Sequence, residues 1–466
     1  MSAPETYTGN RGLQMEEPLI FEANSAGLSG VDFPEADMTS DRLGGIKREG
    51  EIGLPGMAEP QVVRHYLRLS QKNYSIDAGF YPLGSCTMKH NPRLNEKMAR
   101  LPGFAGLHPL QPETTTQGAL ELIDATAHWL ATLTGLSGVA MSPAAGAHGE
   151  LTGLMTIRAA LEDRGDARKR VLVPESAHGT NPASAHACGY VVESIPANER
   201  GRVDFDALRS ALDTDVAALM LTNPNTCGLF EDEIIEIAEA VHTAGAFFYC
   251  DGANFNAIVG RVRPGDLGID CMHINLHKTF STPHGGGGPG SGPVGVVQKL
   301  VEFLPTPKTI YKNSKYDLCY NNPNSIGKLH SFYGNVNVLI KAYCYIRTLG
   351  ANGLKETTEN AVLLANYMKT KLSKHFDIST KGLCKHEFII SLKNEKKEYG
   401  IKALDVAKRL IDYGYHPPTI YFPLIVPEAL MIEPTETETI ESVDGFIETM
   451  IKIKEEIKNR RSKMIR

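Results

Sequence analysis

Residues 246–254 read Ala-Phe-Phe-Tyr-Cys-Asp-Gly-Ala-Asn, a short apolar run that a carboxylate follows directly. Such a run predicts a strand buried on both faces, as in a parallel sheet. A carboxylate at the end of a buried strand is costly unless a cation or hydrogen-bond donors accompany it. Asp251 therefore either caps a turn or faces a positively charged group, and the neighbouring strands help to decide between the two.

The same pattern recurs on both sides of this run, with helical periodicity between the apolar segments. The sequence predicts strands at 138–141, 170–173, 216–221, 246–250 and 273–276, and helices at 116–134, 149–164 and 232–243. Short apolar strands separated by helices predict an α/β fold, with a mostly parallel sheet that is covered on both faces. Ligands of such sheets gather at the carboxyl ends of the strands.

The chain changes character on either side of this region. Residues 1–60 are rich in glycine, proline and acidic residues, and they predict an N-terminal arm that a partner subunit orders. Residues 61–330 predict the large α/β domain, which begins with a helix at 61–71. Residues 331–466 predict a smaller α+β domain, with helices at 336–349, 355–376, 401–413 and 441–458 and strands at 387–392 and 419–422.

Composition narrows the class of protein. The 466 residues are 42% hydrophobic with a net charge of −6, so neither nucleic acid nor an anionic membrane is expected as a partner. No apolar run approaches the ~20 residues that span a bilayer. The N-terminus lacks a basic start followed by an apolar block, so we expect no secretory signal. Eight scattered cysteines without a Cys-x-x-Cys pair favour a reducing cytoplasm and argue against a metal site.

Small or polar residues follow the predicted strands. The stretch Ser142-Pro-Ala-Ala-Gly-Ala-His-Gly-Glu150 opens a helix, whose free N–H groups suit a phosphate, although a tight turn also needs small residues. His178 could stack on a flat ring or simply form hydrogen bonds within its loop. Asn223 could bind a ring hydroxyl or form an Asx turn.

A lysine follows the last strand of the series. Lys278, in Asn275-Leu-His-Lys-Thr279, is partly desolvated there, which favours a nucleophilic amine. Taken alone, such a lysine is more often structural. In chain order, however, the strand ends offer an anion cradle, a stacking ring, a polar anchor, a buried acid and an amine. Pyridoxal 5′-phosphate (PLP) requires this set, and the glycine-rich loop at 284–292 lets backbone pass close to a bulky ligand.

In this order of elements the chain resembles the fold type I PLP enzymes. It resembles more closely the catalytic subunits of the glycine cleavage system P-protein, glycine dehydrogenase (decarboxylating). The stretches that carry this resemblance are Gly84-Ser-Cys-Thr-Met-Lys-His-Asn-Pro92, Glu175-Ser-Ala-His-Gly-Thr-Asn-Pro182, Asp251-Gly-Ala-Asn254 and Asn275-Leu-His-Lys-Thr-Phe280. The similarity extends from about residue 15 to about residue 440, and the tail beyond it has no diagnostic motif.

The resemblance implies roles for individual residues. Lys278 would carry PLP as a Schiff base, Asp251 would pair with the pyridine nitrogen, and His178 would stack on the ring. Gly146 and Ala147 would lie at the phosphate. Further residues of the cofactor pocket would be His277, Thr279, Asn223 and Asn254, and residues near the substrate channel would be Ser85, Cys86, Thr87 and Lys89.

The resemblance also implies a reaction and partners. Glycine would lose CO₂, and the remaining aminomethyl group would pass to the oxidised lipoyl arm of the H-protein. A related chain that has lost the cofactor lysine, P-protein subunit 1, would complete an α₂β₂ assembly. Two alternatives remain open. One is another fold type I enzyme, such as a serine hydroxymethyltransferase-like or amino-acid decarboxylase chain, and the other is a non-catalytic scaffold subunit of the same fold.

Overall fold

The computed structural model describes residues 16–464, apart from 24, 26, 33, 35–43, 47, 51 and 284–289, with side chains as far as residue 459. Part of the predicted N-terminal arm and most of the glycine run after Lys278 therefore lie outside the described residues. The chain divides into two compact units, residues 1–78 and 79–466. In the first unit, helix α1 (Glu59–Gln71) carries His65 and Arg68, which contact the carboxylate of Glu17 at 2.9 and 2.8 Å.

The larger sheet of the second unit has seven strands. They are β1 (Gly138–Ala140), β2 (Arg170–Pro174), β3 (Val191–Ile195), β4 (Val216–Thr222), β5 (Phe247–Gly252), β6 (Cys271–Ile274) and β7 (Val294–Val296). Their order is β1-β7-β6-β5-β4-β2-β3, in which β3, β2, β4, β5 and β6 run parallel. The prediction of a mostly parallel sheet is confirmed. The sequence did not predict β3, or β7, which is antiparallel to both of its neighbours.

Helices cover both faces of this sheet. They are α2 (Arg93–Ala99), α3 (Pro102–Ala105), α4 (Gln117–Thr134), α5 (Gly146–Asp163), α6 (Thr180–Ala187), α7 (Phe205–Ala211), α8 (Ile234–Thr243), α9 (Leu276–Thr279) and α10 (Val336–Leu372). On β4, Leu219 and Leu221 belong to a core shared with α4, α8 and α10. The alternate residues Ala218 and Met220 belong to a second core shared with α5. Apolar side chains on both faces of one strand are what a sheet covered on both sides requires.

A smaller antiparallel sheet follows in the chain. A two-stranded ladder, β8 (Lys308–Lys312) and β9 (Lys315–Cys319), precedes it. The small sheet consists of β10 (Asp377–Ile378), β11 (Phe388–Ser391), β12 (Thr419–Ile420) and β13 (Ala429–Ile432), in the order β10-β11-β13-β12. Its remaining helices are α11 (Lys393–Tyr399), α12 (Ala403–Asp412) and α13 (Ile440–Met464). Apolar residues of α10, α12 and α13 form the core beneath it.

Helix α10 contributes to both cores. Leu339 near its start belongs to the core of the large sheet, and Met368 near its end belongs to that of the small sheet. Gly350 interrupts the helical geometry between them, with φ 62° and ψ −173°, close to the break that the sequence predicted between two helices. Among the described residues, neither α10 nor any other helix combines the length and the apolar character needed to cross a membrane.

Candidate active site

Three polar residues meet where β4, β5 and β6 end. Thr222 is the register partner of Asp251, and Asp251 is the register partner of His273, so a row of polar groups crosses three adjacent strands. A cavity of about 250 Å³ lies at these strand ends. Residues of its wall that the sequence singled out are Ser85, Cys86, Gly146, Ala147, His178, Asp251, His277 and Lys278.

Lys278 lies on α9, a single turn of helix that follows β6. The residue is 8% exposed, and its Nζ donates a hydrogen bond to the carbonyl oxygen of Ser85 at 2.7 Å. Ser85 has a φ of 61°, in the left-handed region that non-glycine residues rarely adopt. A strained residue from a distant part of the chain therefore holds the lysine amino group at the cavity.

The carboxylate of Asp251 is buried, and each of its oxygens has a polar partner. Oδ2 accepts from Asn181 Nδ2 at 2.9 Å, Oδ1 accepts from the Ala253 N–H at 2.9 Å, and His273 Nε2 lies 3.3 Å from Oδ1. Burial by itself raises the pKa of this carboxyl group, but these donors and the charge of Lys278 outweigh burial and hold the pKa below its usual value. Asp251 therefore presents a negative charge to the cavity at neutral pH.

His273 fixes the orientation of this acid. Burial lowers the pKa of His273, which favours the neutral imidazole with one N–H, while the charge of Asp251 raises this pKa. The Tyr249 hydroxyl lies 2.8 Å from Nδ1. When Tyr249 donates to Nδ1, the imidazole proton resides on Nε2 and faces Oδ1 of Asp251.

Helix α5 presents its N-terminus to the cavity through Gly146 and Ala147. The N-cap residue Ala145 forms no side-chain hydrogen bond with this end, so within the described part of the chain backbone N–H groups and the positive end of the helix dipole are available to an anion. The helix lies this close to the sheet because Gly149 packs against backbone. A Cβ at Gly149 would lie 2.6 Å from the carbonyl oxygen of Gly292 and 2.9 Å from Cβ of His273.

Two buried polar atoms at the cavity indicate what it holds. Thr222 Oγ1 and Asn275 Oδ1 have no hydrogen-bond partner among the described residues, and both residues line the wall. Buried polar atoms are almost always paired, so these two call for a ligand or water. With the open helix N-terminus, the ionised Asp251 and the amine of Lys278, they fit PLP, which has a phosphate, a basic ring nitrogen, a hydroxyl and an aldehyde.

The imidazole of His178 also lines this cavity. Its Nδ1 lies 2.8 Å from Thr180 Oγ1, and its ring is 5.8 Å from that of Phe422, at an interplanar angle of 68°. Burial lowers the pKa of His178, so the ring is neutral and can offer a flat face to a heteroaromatic ligand. Stacking on the cofactor stays a prediction.

Five of the predicted site residues are not on the described cavity wall. Asn223 Oδ1 accepts from the Glu231 N–H at 3.2 Å, eight residues along the chain, so this bond is not the local Asx turn that was the alternative at this position. Asn254 Nδ2 donates to the Pro224 carbonyl at 2.9 Å. Thr87 donates to Glu433, Lys89 forms an ion pair with Glu436 at 2.6 Å, and Thr279 Oγ1 is buried without a partner in the described part of the chain.

Other residues of the site were not predicted. Thr222, one residue before Asn223, supplies the polar wall at the end of β4. His273 lies in a predicted strand, and Asn181 lies in the stretch 175–182, but the sequence assigned neither residue to the site. Glu150 follows Gly146 by about one helical turn and lines the cavity, where it accepts from Thr180 Oγ1 at 2.7 Å. Burial, with the nearby charge of Asp251, raises the pKa of Glu150.

Known protein families match two parts of this chain. Residues 150–288 match the family "Aminotransferase class-V", and residues 357–465 match "Glycine dehydrogenase, C-terminal domain". A Caldanaerobacter subterraneus subsp. tengcongensis protein named "Probable glycine dehydrogenase (decarboxylating) subunit 2" is 57% identical over 446 residues, which cover 94% of this chain and 92% of that protein. A Caulobacter vibrioides protein of the same name is 55% identical over 95% of this chain and 86% of its own length.

A solved structure shares the fold. It is described as glycine decarboxylase (P-protein) of the glycine cleavage system in inhibitor-bound form. Its TM-score against this chain is 0.73 at 21% identity, and the match covers 88% of this chain and 92% of that one. The predicted fold type I architecture is thereby confirmed.

Proposed function

This chain belongs to the family of glycine dehydrogenase (decarboxylating) subunit 2, and we propose that it decarboxylates glycine with PLP, as the catalytic subunit of a glycine cleavage P-protein. The observation that carries the proposal is the 57% identity to a subunit 2 over 94% of this chain. The cavity at the strand ends supports it, because one small space contains an amine, an ionised carboxylate and an open helix N-terminus.

In this proposal Lys278 is the residue that binds the cofactor covalently. Asp251 pairs with the ring nitrogen, and His178 stacks on the ring. The N–H groups of Gly146 and Ala147 hold the phosphate, which the dipole of α5 favours. His277 lies beside the lysine on the same wall.

When bound, PLP supplies an aldehyde that condenses with amines and a ring that accepts the electron pair of a breaking bond. The residues of this chain prepare the site for that chemistry. Asp251, oriented by His273 and Asn181, keeps a proton on the ring nitrogen. Lys278, held by Ser85, directs its amine into the cavity. Thr222 offers its unpaired hydroxyl to a polar group of the ligand.

We further propose that the acceptor is the lipoyl arm of an H-protein. The bond between the α-carbon and the carboxyl carbon of glycine breaks, the carboxyl group leaves as CO₂, and the electron pair stays with the α-carbon. That carbon then attacks one sulfur of the lipoyl disulfide, so the S–S bond breaks and the second sulfur leaves as a thiol after it takes up a proton. Ser85 and Cys86, on the cavity wall, are proposed to contact the glycine.

The name subunit 2 implies a partner subunit 1, and we propose an α₂β₂ assembly with it. Several large apolar side chains between residues 19 and 54 are exposed, which supports a partner that covers them. The exposed large apolar residues among the described residues of this region are Leu19, Phe21, Leu28, Val31, Ile46, Ile52 and Leu54.

The domain division also remains a proposal. We propose an arm at 1–60, a PLP-binding domain at 61–330 and a small domain at 331–466. We propose a reducing compartment, the cytoplasm, because the eight cysteines are scattered along the sequence without a Cys-x-x-Cys pair.

The test is exchange of labelled bicarbonate into glycine, measured on this chain with subunit 1 and lipoylated H-protein. We expect exchange that needs all three proteins, and visible absorbance of the lysine-bound cofactor that borohydride abolishes. The Lys278→Ala chain should lose both, because no other amine is described at the cavity wall.

Lys369→Ala is the matched control. Lys369 is also a buried lysine and donates to the Gly382 carbonyl at 2.7 Å, away from the cavity. The Lys369→Ala chain should retain both the attachment of the cofactor and the exchange of bicarbonate into glycine. Exchange by the Lys278→Ala chain would refute the role of the lysine. Cofactor attachment without glycine exchange would indicate another fold type I enzyme instead.

A further inference from the structure

Three fully buried polar residues lie together behind the segment that carries Ser85. His386, Glu387 and Glu433 are each 0% exposed. His386 Nε2 lies 3.9 Å from Oε1 of Glu387 and 3.9 Å from Oε2 of Glu433, distances too long for direct hydrogen bonds. Two carboxyl groups buried without a direct cationic partner are expensive, so their position calls for an explanation.

The separation of these atoms would admit a metal ion, but the histidine does not fit one. A metal-bound histidine almost always donates its second ring N–H to a protein group or water. Nδ1 of His386 has no partner among the described residues. Burial instead raises the pKa of Glu387, with a contribution from Glu433, and lowers the pKa of His386 to about 3. Burial raises the pKa of Glu433 as well, so the cluster is uncharged at neutral pH.

Glu387 is connected to Lys278 through a single residue. Oε2 of Glu387 accepts a hydrogen bond from the Ser85 N–H at 2.6 Å. The carbonyl oxygen of Ser85 accepts from Nζ of Lys278 at 2.7 Å. Both groups belong to one residue with a strained φ of 61°, so the bond to Glu387 helps to fix the direction of the carbonyl.

The small sheet fixes the other side of this turn. The Gly84 N–H donates to the Met431 carbonyl on β13 at 3.2 Å, and Thr419 Oγ1 on β12 donates to the Gly84 carbonyl at 2.8 Å. A Cβ on Gly84 would lie 2.6 Å from the Met431 carbonyl oxygen, so the turn lies directly against the strand. Ser85 is therefore placed by β12, β13 and Glu387 together.

We propose that Glu387 is a positioning residue for the reaction: through Ser85 it holds the amino group of Lys278 towards the cavity whenever that amine is not bound to the cofactor. A free lysine side chain has many rotamers, and restricting them raises the rate of attack on a nearby aldehyde. This inference rests on the proposed function, because it concerns the lysine that we assign to PLP.

The test is the rate at which PLP attaches to the full chain after the cofactor has been removed. Visible absorbance follows the attachment, and borohydride trapping on Lys278 verifies the site. We expect Glu387→Ala to slow attachment about tenfold or more, because Ser85 loses its acceptor. Glu387→Gln should remain within about twofold of the native rate, since its amide oxygen can still accept from the Ser85 N–H. Glu387→Asp should be slow, because the shorter side chain cannot reach.

Glu395→Ala is the matched control. Glu395 is a buried carboxylate on α11 that pairs with Lys454. Its replacement by alanine should perturb the small domain without slowing the attachment of PLP. If Glu387→Ala does not fold, the Asp and Gln variants decide the outcome. Native rates in the Ala or Asp variant, or a Gln variant as slow as the Asp variant, would overturn the positioning role. A native chain that does not attach PLP at all would instead refute the proposed function.

Discussion

Asp251 and Asp270 are buried aspartates at opposite ends of neighbouring strands. Asp270 precedes β6 and binds the Phe248 N–H at 2.8 Å, His242 at 2.8 Å and Lys299 at 2.7 Å. Burial raises the pKa of each carboxyl group, but the donors around each outweigh burial and keep the pKa low. Of the two, only Asp251 lies at the carboxyl ends of the strands, and only Asp251 belongs to the described cavity wall. Position in the sheet therefore separates a site residue from a structural one.

Asp251→Asn tests this distinction. It should still attach PLP to Lys278, but the exchange rate should fall by about a hundredfold or more, because the cofactor ring loses the charge that keeps its nitrogen protonated. Asp270→Asn is the control, and it should lower the melting temperature with little effect on the exchange rate per folded molecule. Equal exchange rates for the two variants would refute the assignment of Asp251.

Single glycines set the distances between elements at the site. Gly149 allows the first turn of α5 to contact the backbone near β7, and this contact places Gly146 and Ala147 at the cavity. Gly118 occupies the first turn of α4, and a Cβ there would meet nothing within 4 Å. Replacing glycine by alanine should therefore displace α5 at position 149 but be tolerated in α4 at position 118.

Gly149→Ala should weaken PLP binding about tenfold, because the added methyl group pushes the N-terminus of α5 away from the phosphate position. Gly118→Ala should leave PLP affinity unchanged and stabilise the chain by up to about 1 kcal/mol, since alanine favours the helix. PLP titration and thermal unfolding of both variants measure these effects. A Gly149→Ala chain with native affinity would contradict the close-packing argument.

At the scale of the whole molecule, segment 84–92 joins the two sheets of the second unit. Gly84 contacts the small sheet, and Ser85 contacts Lys278 beside the large sheet. Further along, Lys89 is 3% exposed and binds Glu436 at 2.6 Å and the Thr279 carbonyl at 2.9 Å. One of the residues predicted near a substrate channel therefore ties the end of α9, the helix that carries Lys278, to the C-terminal part of the chain.

Lys89→Met should cost about 3–5 kcal/mol of unfolding free energy, because it leaves the carboxylate of Glu436, whose side chain is 8% exposed, without its cation. The double variant Lys89→Met, Glu436→Gln should recover part of this loss, since no unpaired charge remains. Denaturant unfolding of the single and double variants measures the difference. A double variant less stable than Lys89→Met would argue against the buried ion pair as the cause.

Much of the fold followed from local sequence patterns. The apolar runs at β4 and β5 and the periodicity of α4, α5 and α10 are properties of contiguous residues, so the sequence predicted them. β7 has three residues, and Val191 of β3 is 60% exposed, so neither strand carried a clear apolar signal. Their places in the sheet depend on pairing with distant strands.

The sequence by itself determined which residues stand at the carboxyl ends of parallel strands, and these ends converge in any sheet of this type. That is why Lys278, Asp251, His178 and Gly146 could be selected as one site. Only the tertiary structure decided the partners that arrive from elsewhere in the chain. The register of β4, β5 and β6 placed Thr222 and His273 beside Asp251. The packing of the small sheet brought Glu387 to Ser85 across 302 residues, a contact that no local periodicity encodes.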